Sequence, residues 1–69
     1  MDEILARRLK DRRKECNMSQ KELVYTSKIS RGTISAIENG KADNVKIGTL
    51  KSLAKALGTT VDYFFNQSV

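Results

Sequence analysis

Apolar residues recur at helical spacing in five short stretches, each bounded by a cap or a turn signal, and the pattern predicts five helices and no strands. The first helix is expected from about Ile4 to Cys16, with Leu5, Leu9 and Cys16 on one stripe and Asn17 in the left-handed closing position. A fourth helix, over roughly Ile47 to Leu57, turns Ile47, Leu50, Leu53, Ala54 and Leu57 inward and stops at Gly58. Thr60 then caps a last short helix bearing Val61, Phe64 and Phe65. No proline, repeat or low-complexity linker interrupts the chain, so residues 1–69 are expected to pack as one all-α bundle.

The most informative stretch lies between these helices, from Met18 to Lys41. Ser19 followed three residues later by Glu22 is a capping box, with Met18 placed to pack on the first turn and Leu23 and Val24 supplying the apolar stripe. That second helix is short and ends near Ser27. Ser30 caps the third, which runs to the stop signal Asn39-Gly40. Only Ile34 and Ile37 of the third helix face inward. Arg31, Gly32, Thr33, Ser35 and Ala36 are polar or small and leave one face with nothing to bury. Two short helices joined by a tight turn are a way to lay one helix in the major groove of DNA.

Composition narrows the field. At 69 residues and 39% hydrophobic, the chain holds one small core. A single Cys16 excludes an intramolecular disulfide and suits a reducing compartment. Met1-Asp2-Glu3 lack the basic start of a signal peptide, and no segment approaches a membrane span, so a soluble cytoplasmic protein is expected. Thirteen Lys and Arg against eight Asp and Glu give a net charge of +5, which favours polyanionic partners. Arg7, Arg8, Lys10, Arg12, Arg13 and Lys14 crowd the first helix, a run that also reads as a solvated face. There is no histidine, no metal-ligand spacing and no carboxylate pair with a plausible pocket. No enzyme activity, cofactor, metal or small-molecule ligand is expected, and Cys16 reads as a small buried hydrophobe.

Ser19-Gln20-x-Glu22-Leu23, Ile29-Ser30-Arg31 and Ile34-Ser35-x-Ile37-Glu38-Asn39-Gly40-Lys41 together resemble the phage repressor and Cro class of helix-turn-helix proteins. Leu50, Leu53 to Gly58 and Val61 to Phe65 resemble that family's last two helices, so the likeness covers nearly the whole chain. It implies a lambda-repressor-like five-helix fold and a bacterial or phage setting. The implied function is a sequence-specific regulator of transcription, most simply a repressor, that binds a pseudo-palindromic operator as a dimer.

The resemblance also implies roles. Arg13 matches the family arginine that pairs with the glutamate at Glu38, and breaking a buried pair of that kind costs about 3 to 5 kcal/mol. Arg31 and Thr33 are best placed for base edges. A guanidinium can give guanine O6 and N7 two parallel bonds, the other reading of Arg31 being a phosphate contact or a solvated side chain. Ser35 and Ala36 lie further along the same face, and Gly32 permits close backbone approach. Phosphates are expected at the starts of both motif helices, at Ser19 and Gln20 and at Ser30, where N-H groups and the helix dipole attract anions. Gln20 matches a family glutamine that binds the DNA backbone. Lys41, Asn44 and Lys46 occupy a loop in which family members touch phosphates.

This chain departs from the pattern at four places. Lys28 stands at the turn position usually held by glycine, where a left-handed conformation costs about 1 kcal/mol. Val24 replaces a frequent alanine, Ser27 replaces a commonly apolar residue, and the loop Ala42 to Lys46 is about one residue longer than common. Dimerisation is expected through Val61, Tyr63 and Phe65, the alternative being that all the C-terminal apolar residues except Tyr63 are core. An antitoxin-like module, binding a toxin and contacting DNA only for autoregulation, is the second functional reading.

Overall fold

The computed structural model describes residues 3–65. Met1 and Asp2, on which part of the leader reading rests, lie outside them. The described chain forms α1 (Glu3–Glu15), α2 (Gln20–Ser27), α3 (Arg31–Glu38), α4 (Ile47–Ala56) and α5 (Val61–Phe65), with no strand among the described residues. The helix α1 packs against α3 and α5, α2 against α3 and α4, and α4 against α5. Leu5, Leu9, Leu23, Ile34, Ile37, Leu50, Leu53, Leu57 and Phe64 meet in the middle.

Local chemistry sets where each helix stops. Asn17, Gly40 and Gly58 adopt φ values of 56°, 69° and 66°. At each of these residues the chain reverses through the same pair of bonds. The Asn17 and Met18 amides donate to Lys14 and Arg13, those of Gly40 and Lys41 to Ile37 and Ala36, and those of Gly58 and Thr59 to Lys55 and Ala54. This paired closure satisfies carbonyls that a helix end otherwise leaves bare. At the other ends, Ser19 Oγ accepts from Glu22 N at 3.0 Å while Glu22 Oε1 accepts from Ser19 N at 2.8 Å, completing the capping box. Ser30 Oγ accepts from Thr33 N at 3.2 Å.

The turn between α2 and α3 keeps its left-handed shape although a lysine occupies it. Lys28 has φ 65° and ψ 17°, and its amide donates to Val24 O at 2.8 Å. Ser27 explains how a polar residue fits at a buried position of this turn. Its hydroxyl donates to Leu23 O at 2.6 Å and accepts from Ile29 N at 3.1 Å, so nothing polar is left unsatisfied.

The structure corrects two readings of the inward faces. Ile47 is 57% exposed rather than inward. At about 100° per residue it sits some 60° round from Leu50, at the edge of the stripe and on the first residue of its helix. Cys16 lies one residue past the end of α1 and is half-buried, its Sγ 3.6 Å from Leu57 O.

Replacing Lys28 by glycine removes the cost of a β-carbon at positive φ, about 1 kcal/mol, and loses the exposed contact of Lys28 Nζ over the Tyr25 ring. Lys28→Gly is therefore expected to raise stability by about 0.5 kcal/mol, read from urea unfolding at an unchanged m-value.

Candidate nucleic-acid interface

Besides the apolar packing of α1 on α3, one side chain of α1 reaches both short helices of the motif. Arg13 Nε donates to Glu38 Oε2 at 2.7 Å, Nη2 donates to Glu38 Oε1 at 3.1 Å, and Nη1 donates to Met18 O at 2.8 Å. One guanidinium thus ties α1 to the last residue of α3 and to the loop entering α2. The Arg13 and Glu38 side chains are only 12% and 2% exposed. Hydrogen bonding to Glu38 raises the pKa of Arg13 above its ordinary value, although partial burial pulls the other way. A raised pKa stabilises the fold wherever pH lies below the unfolded value. For arginine that covers every ordinary condition, so the arginine side of the pair never titrates away.

Other basic residues of α1 are also spent internally. Arg12 Nε donates to Leu57 O at 2.9 Å and Nη2 to Gly58 O at 3.4 Å, placing a positive charge on the carbonyl end of α4. Arg8 lies over the Tyr63 ring, 5.1 Å from its centroid. Of the six basic residues of α1, Arg8, Arg12 and Arg13 therefore engage the protein itself, while Arg7, Lys10 and Lys14 are exposed. The sequence reading missed Arg12 and Arg8. A charge run carries no mark of which members reach another helix.

The first turn of α3 is where the structure places an unburied face. Arg31, Gly32 and Thr33 are exposed, while Ser35 and Ala36, further along, are half-buried. A side chain added at Gly32 would meet nothing within 4 Å. Ser30 Oγ donates to Thr33 Oγ1 at 2.9 Å, so the threonine hydroxyl keeps its own proton to give away. Ser35 Oγ is engaged by Asn39 Nδ2 at 3.3 Å. Gln20 lies beside this turn and does not simply project into water. Its Nε2 donates to Glu38 Oε1 at 3.1 Å, and its Oε1 accepts a long bond of 3.5 Å from Arg31 Nε.

The outer side of α3 and the following loop share an open groove of about 460 Å³, which brings Gly32, Thr33 and Ala36 together with Asn44 and Lys46. Lys41 is exposed but does not line it. Asp43 and Thr49 line the same groove and were not singled out from sequence. The carboxylate of Asp43 sets a negative charge among groups suited to anions. Lys46 precedes α4 with no side-chain cap, so the N-H groups opening that helix have no protein oxygen from a capping side chain. The absence of Ser, Thr, Asp or Asn at that position was the available signal.

At the C-terminal end the expected interface residues divide. Phe64 is fully buried, Val61 and Tyr63 are half-buried, and Phe65 is 45% exposed. Phe65 therefore does not belong to the core.

A bundle in which two short capped helices are braced by a buried ion pair, with the second exposing its first turn, is a helix-turn-helix protein. The chain belongs to the helix-turn-helix family, whose model matches residues 9–64. It is 31% identical over 61 residues to the proposed antitoxin HigA2 of Mycobacterium tuberculosis (strain ATCC 25618 / H37Rv), over 88% of this chain and 60% of that protein. Among solved structures it superposes on a chain of the SinR protein/SinI protein complex with a TM-score of 0.86 at 25% identity, covering 91% of this chain and 61% of that one. It also superposes on part of HppE in its Fe(II) form in complex with substrate, with a TM-score of 0.82 at 28% identity, covering 93% of this chain and 37% of that one. This chain thus spans less than two thirds of the length of each of these three relatives. Its described residues contain no group of three or more His, Cys, Asp or Glu able to hold a metal ion.

Removing one partner of the Arg13–Glu38 pair strands the other in a nearly closed site. Arg13→Met is expected to cost about 3 to 5 kcal/mol. Replacing both, as Arg13→Met with Glu38→Leu, is expected to restore most of that loss. Chemical denaturation of the two variants beside the parent measures the difference.

Proposed function

We propose that this chain is a sequence-specific double-stranded DNA-binding regulator of transcription. In this reading α3 enters the major groove and two copies act together on a pseudo-palindromic operator as a repressor. The observation that carries it is the first turn of α3, where Arg31, Gly32 and Thr33 stay exposed on a helix whose opposite side, Ile34 and Ile37, is sealed in the core. A helix so divided is held firmly on one side and open on the other. Family membership supplies the second support.

The roles follow from the placement. With Nε directed to Gln20, Arg31 presents Nη1 and Nη2, an end-on pair of donors suited to guanine O6 and N7. Thr33 offers its remaining hydroxyl proton to an acceptor in the same groove. Lys46, the uncapped start of α4 and Asn44 form the flank that meets phosphates, with Lys41 beyond it. Ser19, Gln20 and Ser30 open the two motif helices on the side facing the backbone. One such helix reads few bases, and pairing through Val61, Tyr63 and Phe65 would double the site. The exposure of Phe65 supports that pairing.

The likeness to the proposed HigA2 antitoxin favours a second reading, in which a toxin is the principal partner and DNA binding serves autoregulation. An apolar groove of about 540 Å³ over α2, lined by Met18, Val24 and Tyr25 among others, is a surface available to such a partner. A toxin gene beside this one would decide in its favour.

Selection of bound duplexes from a random pool is expected to yield a two-fold-related site. Its affinity should fall with salt by about 0.9 logarithmic units per logarithmic unit of salt for each phosphate neutralised. Arg31→Ala should relax base preference at one position of each half-site. A flat salt response, or an unchanged preference in Arg31→Ala, would overturn the respective assignment. Asp43→Asn removes a negative charge from the flank and is expected to tighten binding to every duplex, by about fivefold at low salt.

A further inference from the structure

Tyr25 is 79% exposed, the most of the large hydrophobic residues exposed among those described, and it does not stand alone. It shares an open groove of about 540 Å³ with Met18, Lys21, Glu22, Val24 and Thr26, over the outer side of a helix whose buried residues are Leu23 and Ser27. The uncharged and acidic polar groups of this groove are turned back on their own helix. Thr26 Oγ1 donates to Glu22 O at 2.8 Å, and Glu22 Oε1 accepts from Ser19 N at 2.8 Å. What they leave is an apolar floor of Met18, Val24 and the Tyr25 ring, with two ammonium groups about it. Lys21 lines the groove, and Lys28 Nζ stands 4.9 Å from the centroid of the Tyr25 ring. The groove shares no residue with the one beside α3.

Lys28 keeps its place against the preference of its backbone. A φ of 65° suits glycine, which would close the turn without strain. Glycine there would also take one of the two ammonium groups from the groove. The residue that strains the turn is thus the one that holds a cation on the exposed ring, and strain of this sort collects where a surface has work beyond folding.

We propose that this groove docks an acidic segment of a partner protein, one large apolar side chain lying on the floor and carboxylates meeting Lys21 and Lys28. An apolar patch rimmed by charge is the usual form of such a surface. A duplex is a rigid polyanion and gains nothing from the apolar floor, whereas a peptide has both an apolar side chain and carboxylates to offer. A second copy of this chain does not fit either. A two-fold contact through this face would bring four ammonium groups together. Whatever the partner's own activity, a toxin's included, the groove selects it by negative charge and one apolar anchor.

The test selects binders to the whole chain from random short peptides displayed on phage, then titrates the enriched peptides in solution and maps them by amide chemical shifts. The expected peptides are net acidic, carry a leucine, isoleucine or aromatic residue, and shift the amides of residues 18–28. Tyr25→Ser should weaken them about tenfold. Lys28→Gly should weaken them about threefold and flatten their salt dependence. That variant is the one expected to be more stable than the parent, so its weaker binding is not a loss of fold. Lys28→Glu should bind poorly and recover when one acidic residue of the peptide is changed to lysine.

A selection that enriches nothing, that enriches neutral or basic peptides, or whose peptides shift amides elsewhere overturns the proposal. An unchanged affinity in Lys28→Gly does the same. Single-stranded oligothymidylate is titrated beside the peptides, and its binding, if abolished by Tyr25→Ser, would make the groove a nucleic-acid platform and overturn the proposal as well. No duplex enters these measurements, so their failure leaves the DNA-binding reading in place, and a failure of that reading leaves this one.

Discussion

Arg13 and Glu38 stand twenty-five positions apart and meet at 2.7 Å where water scarcely reaches, and the placement of the exposed helix depends on that contact. The helices α2 and α3 have eight residues each, too few to be stable alone. Each is anchored through a narrow apolar stripe, Leu23 in one and Ile34 with Ile37 in the other. A stripe fixes how deep a helix sits but resists sliding and rotation poorly. A bidentate guanidinium on the last residue of α3, with its third contact on Met18 O before α2, supplies direction. Such a pair adds little over a well-packed apolar one in stability. Its contribution here is angular, and the face of α3 inherits its aim from it.

The same interior uses charge that the composition assigns to the outside. Arg12 closes the carbonyl end of α4 and Arg8 lies on Tyr63, so part of the positive balance of α1 belongs to packing. The basic residues left exposed are Arg7, Lys10 and Lys14 on α1, Lys21 and Lys28 on and just after α2, Arg31 at the start of α3, Lys41 and Lys46 in the loop, and Lys51 and Lys55 on α4. Asp43 sits among the groups on the loop and tempers them. In the proposed reading, a flank with one acid in it holds phosphates less tightly and leaves a larger share of discrimination to the turn assigned to the bases.

Much of this architecture was legible residue by residue. The Ser19 to Glu22 capping box, the Ser30 cap and the closures at Asn17, Gly40 and Gly58 rest on bonds within a few positions, and their residues declare them. The stripes of α3 and α4 also came through, because helical spacing is a local property. Ile47 failed for a reason of the same kind: it satisfies the spacing but stands at the edge of the stripe on the first residue of its helix, and periodicity cannot say whether anything lies opposite. Lys28 shows the converse. Its type argued against a left-handed turn, yet the caps on either side and the buried Ser27 hydroxyl hold the backbone there.

The sequence alone therefore determined the number of helices, their ends, most of their inward faces and the motif they compose, since each depends on neighbours within one or two turns. Only the tertiary structure decided how the long polar side chains are used. It joined Gln20 to both Glu38 and Arg31, turned Arg12 to the end of α4, and brought Thr33 of α3 into one groove with Lys46 of the loop. Those partners lie on different elements, and a flexible side chain takes its role from whichever matched group the packed helices bring within hydrogen-bonding reach, a proximity that no local pattern encodes.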